Sequence, residues 1–248
     1  MIDAIHEKFR RANDPSSTKE ELLELMSFKD ELIDASIALN KAADREVLSL
    51  LEHSEFESVR KNLLARYCDL PELYTISMRE VSVTDAEYIF GLRVDNTYNK
   101  YISKVSNDLN QQRAYIESYI NGNKNHISSL YFIIENKDKN VRCGTVRIYN
   151  FKGDSFEWGS WILDENKTRY AAMETAIFVY EFAFKNLGFS KSEFEVNKLN
   201  EKVVSYHLKS GAKIVSEDDI NYYFRINKDD ALEFTATLKQ RLESKNTN

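Results

Sequence analysis

The stretch "VNKLNEKVVSYHLKSGAK", residues 196 to 213, sets one histidine, His207, between an asparagine, Asn200, and a glycine, Gly211. Histidine's ordinary pKa of about 6.5 lets it give or take a proton near neutrality, so His207 on a short helix facing a cleft is equipped for acid–base work. A half-buried helix histidine bonded to a neighbouring carbonyl explains the same residue, and spacing alone leaves both readings open. The other histidines carry less. His6 and His53 fall in helical segments and His126 in a polar turn. No pair of histidines has metal-ligand spacing, nor do the two cysteines, Cys68 and Cys143, so no metal is expected.

Elements long enough to hold such residues are available. A chain of 248 residues, 42% hydrophobic and 12% aromatic, can bury a substantial core. Its 34 basic residues against 40 acidic ones leave a net charge of −6, which provides no global field for nucleic acid or anionic lipid. Two cysteines make no disulfide scaffold. The start, "MIDAIHEKFRRANDPSS", lacks the apolar run of a signal peptide, and no stretch of 18 apolar residues occurs, so a cytoplasmic protein without membrane contact is expected.

Punctuation divides the chain. All seven glycines lie between Gly91 and Gly211, and both prolines, Pro15 and Pro71, lie in the first 90 residues. Two domains are expected, a helical one over 1–72 and a second over 73–248. In the first, "TKEELLELM" opens with a capping-box pattern from Thr18 to Glu21, and "DREVLSLLEH" lines up Val47, Leu48, Leu50 and Leu51. The segments around Ala12 and Ala38 are offset by 26 residues, and a third copy starts at Ala65. A period of that length resembles leucine-rich-repeat-variant arrays; an ordinary helical hairpin is the alternative.

Beyond residue 75 strands and helices alternate. "TISMREV" is a strand, "TDAEYIFGLRVD" a helix opened by a capping box from Thr84 to Glu87, and "DLNQQRAYIESYI" a second helix. "LYFIIE" and "VRCGTVRIY" form a hairpin, and "SFEWGSWIL" is a further strand. A long helix follows, apolar on more than one face and therefore buried. "SEFEV", the helix Glu201–Lys209 stopped at Gly211, the strands "AKIV" and "YYFRI", and a last helix complete the chain. The class is α+β, with helices around one mixed, mostly antiparallel sheet.

That order resembles the GCN5-related N-acetyltransferase (GNAT) fold, over roughly residues 75 to 228. The resemblance implies acetyl-CoA as cosubstrate, its pantetheine arm paired with the strand end Trp161, Ile162 and Leu163. Its pyrophosphate would lie on the turn and helix start formed by Thr168, Arg169, Tyr170, Ala171 and Ala172, where unpaired N–H groups and the helix dipole favour anions. The family's Gln/Arg-x-x-Gly-x-Gly/Ala signature has neither glycine here, since Ala171 and Met173 stand in their places, and Glu174 adds a negative charge that Lys167 and Arg169 would offset. The family's Asn, seven-residue spacing and Gly recur as Asn200, His207 and Gly211, with histidine at the usual tyrosine position. This pattern is closest to branches that acylate amino groups of nucleotide-linked sugars, as in surface-polysaccharide assembly.

The resemblance implies that His207 lies beside the coenzyme sulfur as a proton donor to the thiolate, and that Asn200 orients the pantetheine or the helix start. Glu157, on the strand where many members place a glutamate, is the candidate base; proton loss through ordered water and an exposed strand glutamate are the alternatives. Arg93, Asn96, Asn99 and Lys100, in the region that covers the acceptor in this family, are equipped to bond sugar hydroxyls or a phosphate. The expected partner is a small-molecule amine, a sugar nucleotide first. A protein or peptide amine, or a domain that has lost its coenzyme and only binds a partner, are the other readings. A homodimer through the last strands is compatible with the aromatic content.

Overall fold

In the computed structural model, residues 2–99, 105–123 and 127–246 are described. Five helices come first: α1 (Ile2–Asn13), α2 (Lys19–Met26), α3 (Glu31–Leu39), α4 (Arg45–Leu51) and α5 (Glu57–Cys68). The Thr18–Glu21 capping box opens α2, and the Asp30 and Asp44 carboxylates cap α3 and α4. Contacts between these helices recur at sequence separations of 26 to 28 residues. The Asn40 amide donates to Ala12 O at 2.8 Å, Asn62 to Ala35 O at 2.8 Å, and Arg66 to Asn40 O at 2.6 Å. The periodic offset thus corresponds to α1, α3 and α5 lying side by side around their own apolar core. Leu50, expected inside with Val47, Leu48 and Leu51, is instead 54% exposed, because one helix turn offers only one buried stripe.

The seven strands are β1 (Ile76–Glu80), β2 (Leu130–Asn136), β3 (Val141–Lys152), β4 (Ser155–Leu163), β5 (Lys191–Asn197), β6 (Lys213–Glu217) and β7 (Asn221–Asn227). They form one sheet in the order β1-β2-β3-β4-β5-β7-β6. Every pairing is antiparallel except β4 with β5. Helices α6 (Ala86–Val94) and α7 (Leu109–Asn123) cover one part, with a small core against Tyr131 and Ile133. Helices α8 (Ala171–Glu181) and α10 (Lys228–Asn246) pack into the main core, and α9 (Glu201–Lys209) closes on β5. The class and order are those expected. One detail differs: the capping box ahead of α6 joins Ser82 to Asp85. Asp85, 1% exposed, also takes a bidentate bond from Arg79, so its carboxylate outcompetes Glu87 for the turn.

From Glu174 on, α8 is buried on all sides, and its end opens into a π-helical turn, Phe182–Asn186, with Leu187 N bonding to Phe182 O at 3.1 Å. Such an insertion leaves carbonyls without helical partners. Arg66 of α5 takes them up: its guanidinium, 7% exposed, donates to Asn186 O and Lys185 O on one side and to Asn40 O and Ala38 O on the other. Two helix C-termini thus share one cation. Beside it Arg45 N donates to Gly188 O at 2.8 Å. Gly188 has φ +75, and a Cβ there would stand 2.8 Å from Arg45 N, so only glycine permits this approach.

Arg66→Met would strand several buried carbonyls, each worth about 1–3 kcal/mol when left unpaired. Urea unfolding of this variant is expected to show a loss of about 3 kcal/mol or more. A midpoint equal to wild type would show that the helical segment adds no stability through this contact.

Candidate functional site

The site begins with a fault in β4. Arg147 pairs with Gly159, while Thr145, two residues away on β3, pairs with Ile162, three residues away on β4. One extra β4 residue must bulge out, and Ser160 does so at φ +46, its carbonyl held by the Thr145 hydroxyl at 2.9 Å. The bulge turns β4 off its line. It pairs with β5 only at Ser155–Lys191 and Phe156–Ser192; further on, the strands part.

The opening is a cavity of about 240 Å³, walled by Trp158 to Trp161 on one side, Phe194 to Asn197 on the other, and Asn200, Val203 and His207 of α9. The sequence candidates Trp161, Asn200 and His207 therefore meet in one cleft. Asn200 starts α9 without a side-chain cap bond. Ile162 and Leu163 do not line the cleft: they lie past the bulge, re-paired with Thr145 and Gly144, with Ile162 buried. Tyr98, not foreseen, reaches the cleft from the loop after α6, its hydroxyl bonded to Glu165 at 2.6 Å.

His207 is 4% exposed and ringed by Phe194 (4.3 Å between centroids), Tyr206 (5.4 Å), Trp158 (5.7 Å) and Phe224 (5.9 Å). Burial pushes its pKa down to about 4, and Nδ1 is buried without a hydrogen-bond partner. Near neutrality the ring is uncharged. It offers one N–H or one lone pair to a neighbour, and no imidazolium proton.

The turn into α8 holds the remaining coenzyme candidates. Tyr170 gives α8 no side-chain cap; Arg169 and Ala172 are exposed there, with Lys167 beside them, while Ala171 is fully buried. An uncapped helix start flanked by two cations fits an anionic pyrophosphate. The Thr168 hydroxyl shares a hydrogen bond with Thr75 at 2.7 Å, so its side chain braces the turn. Glu174, expected to put negative charge near this turn, has that charge taken up by donors at the start of β1, and the Thr75 hydroxyl bonds both it and Thr168. Its carboxylate is fully buried and accepts from the backbone N–H groups of Tyr74, Thr75 and Ile76 at 2.8 to 3.1 Å, which orients it toward the start of β1.

On the other side of Ser160 lies a second cavity, about 410 Å³, lined by Arg93, Gln111, Gln112, Tyr115, Arg147 and Tyr149 among others. Ser160 lines both. Of the described acceptor candidates, Arg93 alone lines this cavity. Asn96 is exposed on the turn, the Asn99 side chain holds Arg93 O at 3.2 Å, and Lys100 lies outside the described residues, as does His126. Arg147, Tyr149 and Tyr115 were missed. Arg147 and Tyr149 alternate with buried Val146 and Ile148, which is the available sequence signal for a strand face turned to a site. Arg147 lies 5.4 to 6.0 Å from the ring centres of Tyr115, Tyr119, Tyr131 and Tyr149, and donates to the Tyr115 hydroxyl and to Ser129. Glu157 lines neither cavity. Its two oxygens accept from the Tyr149 hydroxyl and the Asn150 amide, each at 2.8 Å.

Among the described residues no helix is long and apolar enough to cross a membrane, and no group of three or more His, Cys, Asp or Glu is placed to hold a metal ion.

The state of His207 has a consequence for stability. Its pKa is about 4 in the folded chain and about 6.5 unfolded, so between those values the unfolded chain binds the extra proton. Acidification through that window should remove roughly 3 kcal/mol of stability, and nothing above it. The unfolding free energy of wild type minus that of His207→Phe, measured from pH 7 to 4, should therefore fall by roughly 3 kcal/mol as the pH drops; parallel curves would show a solvated, normally titrating imidazole.

A family model described as acetyltransferase (GNAT) domain matches residues 75–213. The chain is similar to a solved structure of FdhC, described as a nucleotide-linked sugar GNAT, at 45% identity, with 68% of this chain and 95% of that one covered and a TM-score of 0.62. It also shares its fold with an acetyltransferase of the GNAT family from Bacillus anthracis (15% identity, 64% and 99% covered, TM-score 0.54). Spermidine N-acetyltransferase from Vibrio cholerae, solved with CoA and spermine, is similar to the same degree (16% identity, 64% and 98% covered, TM-score 0.56). No curated protein sequence matches. With the parted strands, the matched segment and the shared identity, the chain belongs to the GNAT family, enzymes that transfer an acetyl group from acetyl-CoA to an amine.

Proposed function

We propose that this enzyme acetylates the primary amine of a sugar carried on a nucleoside diphosphate. The observation that carries the reading is the cavity of about 410 Å³: two arginines, Arg93 and Arg147, two glutamines and two tyrosines line it, and it meets the cleft at Ser160. No carboxylate lines it among the described residues. A basic peptide or a polyamine would meet cations there, whereas a diphosphate meets charge-matched donors, with amides for hydroxyls and rings for a flat base. Similarity to a nucleotide-linked sugar GNAT supports the same class.

In this reading the acetyl-CoA thioester arm lies between β4 and β5 and its pyrophosphate on the uncapped start of α8. The exposed Arg169 and Ala172 would be its nearest contacts there, Asn200 would bond the pantetheine, and His207 would supply a neutral hydrogen bond near the sulfur. The acceptor amine would approach from the second cavity and reach the thioester past Ser160.

Thiol release from acetyl-CoA should be measured with a nucleotide-linked amino sugar, the free amino sugar and spermidine. Turnover is expected with the first alone. Arg147→Ala should raise the KM for that acceptor about 10- to 100-fold and leave the KM for acetyl-CoA in place, since a lost charge-assisted bond costs about 1.5–3 kcal/mol. Preference for spermidine would overturn the assignment.

A further inference from the structure

We propose that Tyr149 is a catalytic residue: its hydroxyl takes the proton of the acceptor nitrogen and hands its own to Glu157. This rests on the acyl-transfer reading but not on the identity of the acceptor. Tyr149 lines the acceptor cavity next to Ser160, where the two cavities meet, and Glu157 lines neither. The phenol donates to Glu157 Oε1 at 2.8 Å, and Asn150 fixes the other carboxylate oxygen at 2.8 Å. Tyr149 and Glu157 are direct cross-strand partners. Gly159, two residues along and on the Glu157 face, makes room for this pair: a Cβ there would stand 2.8 Å from the Tyr149 hydroxyl.

The surroundings suit a relay and not a phenolate. Burial and the Glu157 charge raise the Tyr149 pKa, so the hydroxyl stays protonated, with one lone pair for a substrate N–H. The charged groups facing it are Arg147 on its own strand, Glu157 on β4 and Glu195 on β5; Tyr115 on α7 and Arg93 on α6 share the cavity.

The neutral amine attacks the thioester carbon, a C–N bond forms, and the carbonyl π pair moves to oxygen. The nitrogen, now positive, loses a proton to the Tyr149 oxygen as the Tyr149 O–H bond breaks toward Glu157. The carbonyl re-forms, the C–S bond breaks, and sulfur leaves with its electron pair. Glu157 returns its proton to water and the thiolate takes one from water, so amide and thiol form and the protein is unchanged.

Tyr149→Phe, Glu157→Gln and the double variant test this on whichever of the three amines wild type accepts. Each single change should lower kcat about 100-fold or more, the usual worth of positioned acid–base help, with the KM for acetyl-CoA unmoved as the check on folding. The double variant should lose no more than the worse single one. Tyr149→Phe within threefold of wild type, or losses that multiply, would overturn the relay. Turnover of spermidine alone would remove the sugar-nucleotide assignment and leave the relay to be judged on that substrate. Transfer to none of the three overturns both.

Discussion

One extra residue in β4 shapes the whole site. Antiparallel strands keep step only while they contribute equal numbers of residues, and three on β4 against two on β3 cannot. Ser160 absorbs the excess in a left-handed conformation, and the Thr145 hydroxyl satisfies the carbonyl that leaves the ladder. The bent strand then cannot follow β5. The same residue that parts β4 from β5 also borders the second cavity, so a single bulge both opens the cleft and joins it to its neighbour.

A strand pair open at one end needs a firm closure at the other. Here the helical segment packs near the joined ends of β4 and β5, through Gly188 in the loop just before β5 and the π turn of α8. Arg66 and Arg45 are both under a tenth exposed; Arg66 donates to backbone carbonyls, and Arg45 Nη1 to Glu52 and the Tyr67 hydroxyl. Breaking such contacts strands polar groups away from water, which ties the first helices to the catalytic sheet.

Burial also sets the chemistry. His207 sits among four aromatic rings, and that environment disfavours its charged form. Glu157 has its oxygens taken by neighbours, and Tyr149 carries the contact with the cavity. The protonation states of His207 and Tyr149 follow from what surrounds them, not from residue type alone.

Local features were legible in the amino-acid order because they depend on near neighbours. The Thr18–Glu21 box, the helix from Glu201 to Lys209, its stop at Gly211 with φ +89, and the alternation of strands and helices are of this kind. So was the grouping of Trp161, Asn200 and His207, which a family pattern already spaces correctly. Tertiary structure alone decided that Ser160 would take up the bulge, since serine has no special claim to that conformation. It alone bound the Glu174 carboxylate to the start of β1, exposed Leu50, and put Arg93 of α6 into one cavity with Arg147 and Tyr149 of β3. Each of these depends on groups far apart in the chain competing for the same partner or the same space, and only the packed fold settles that competition.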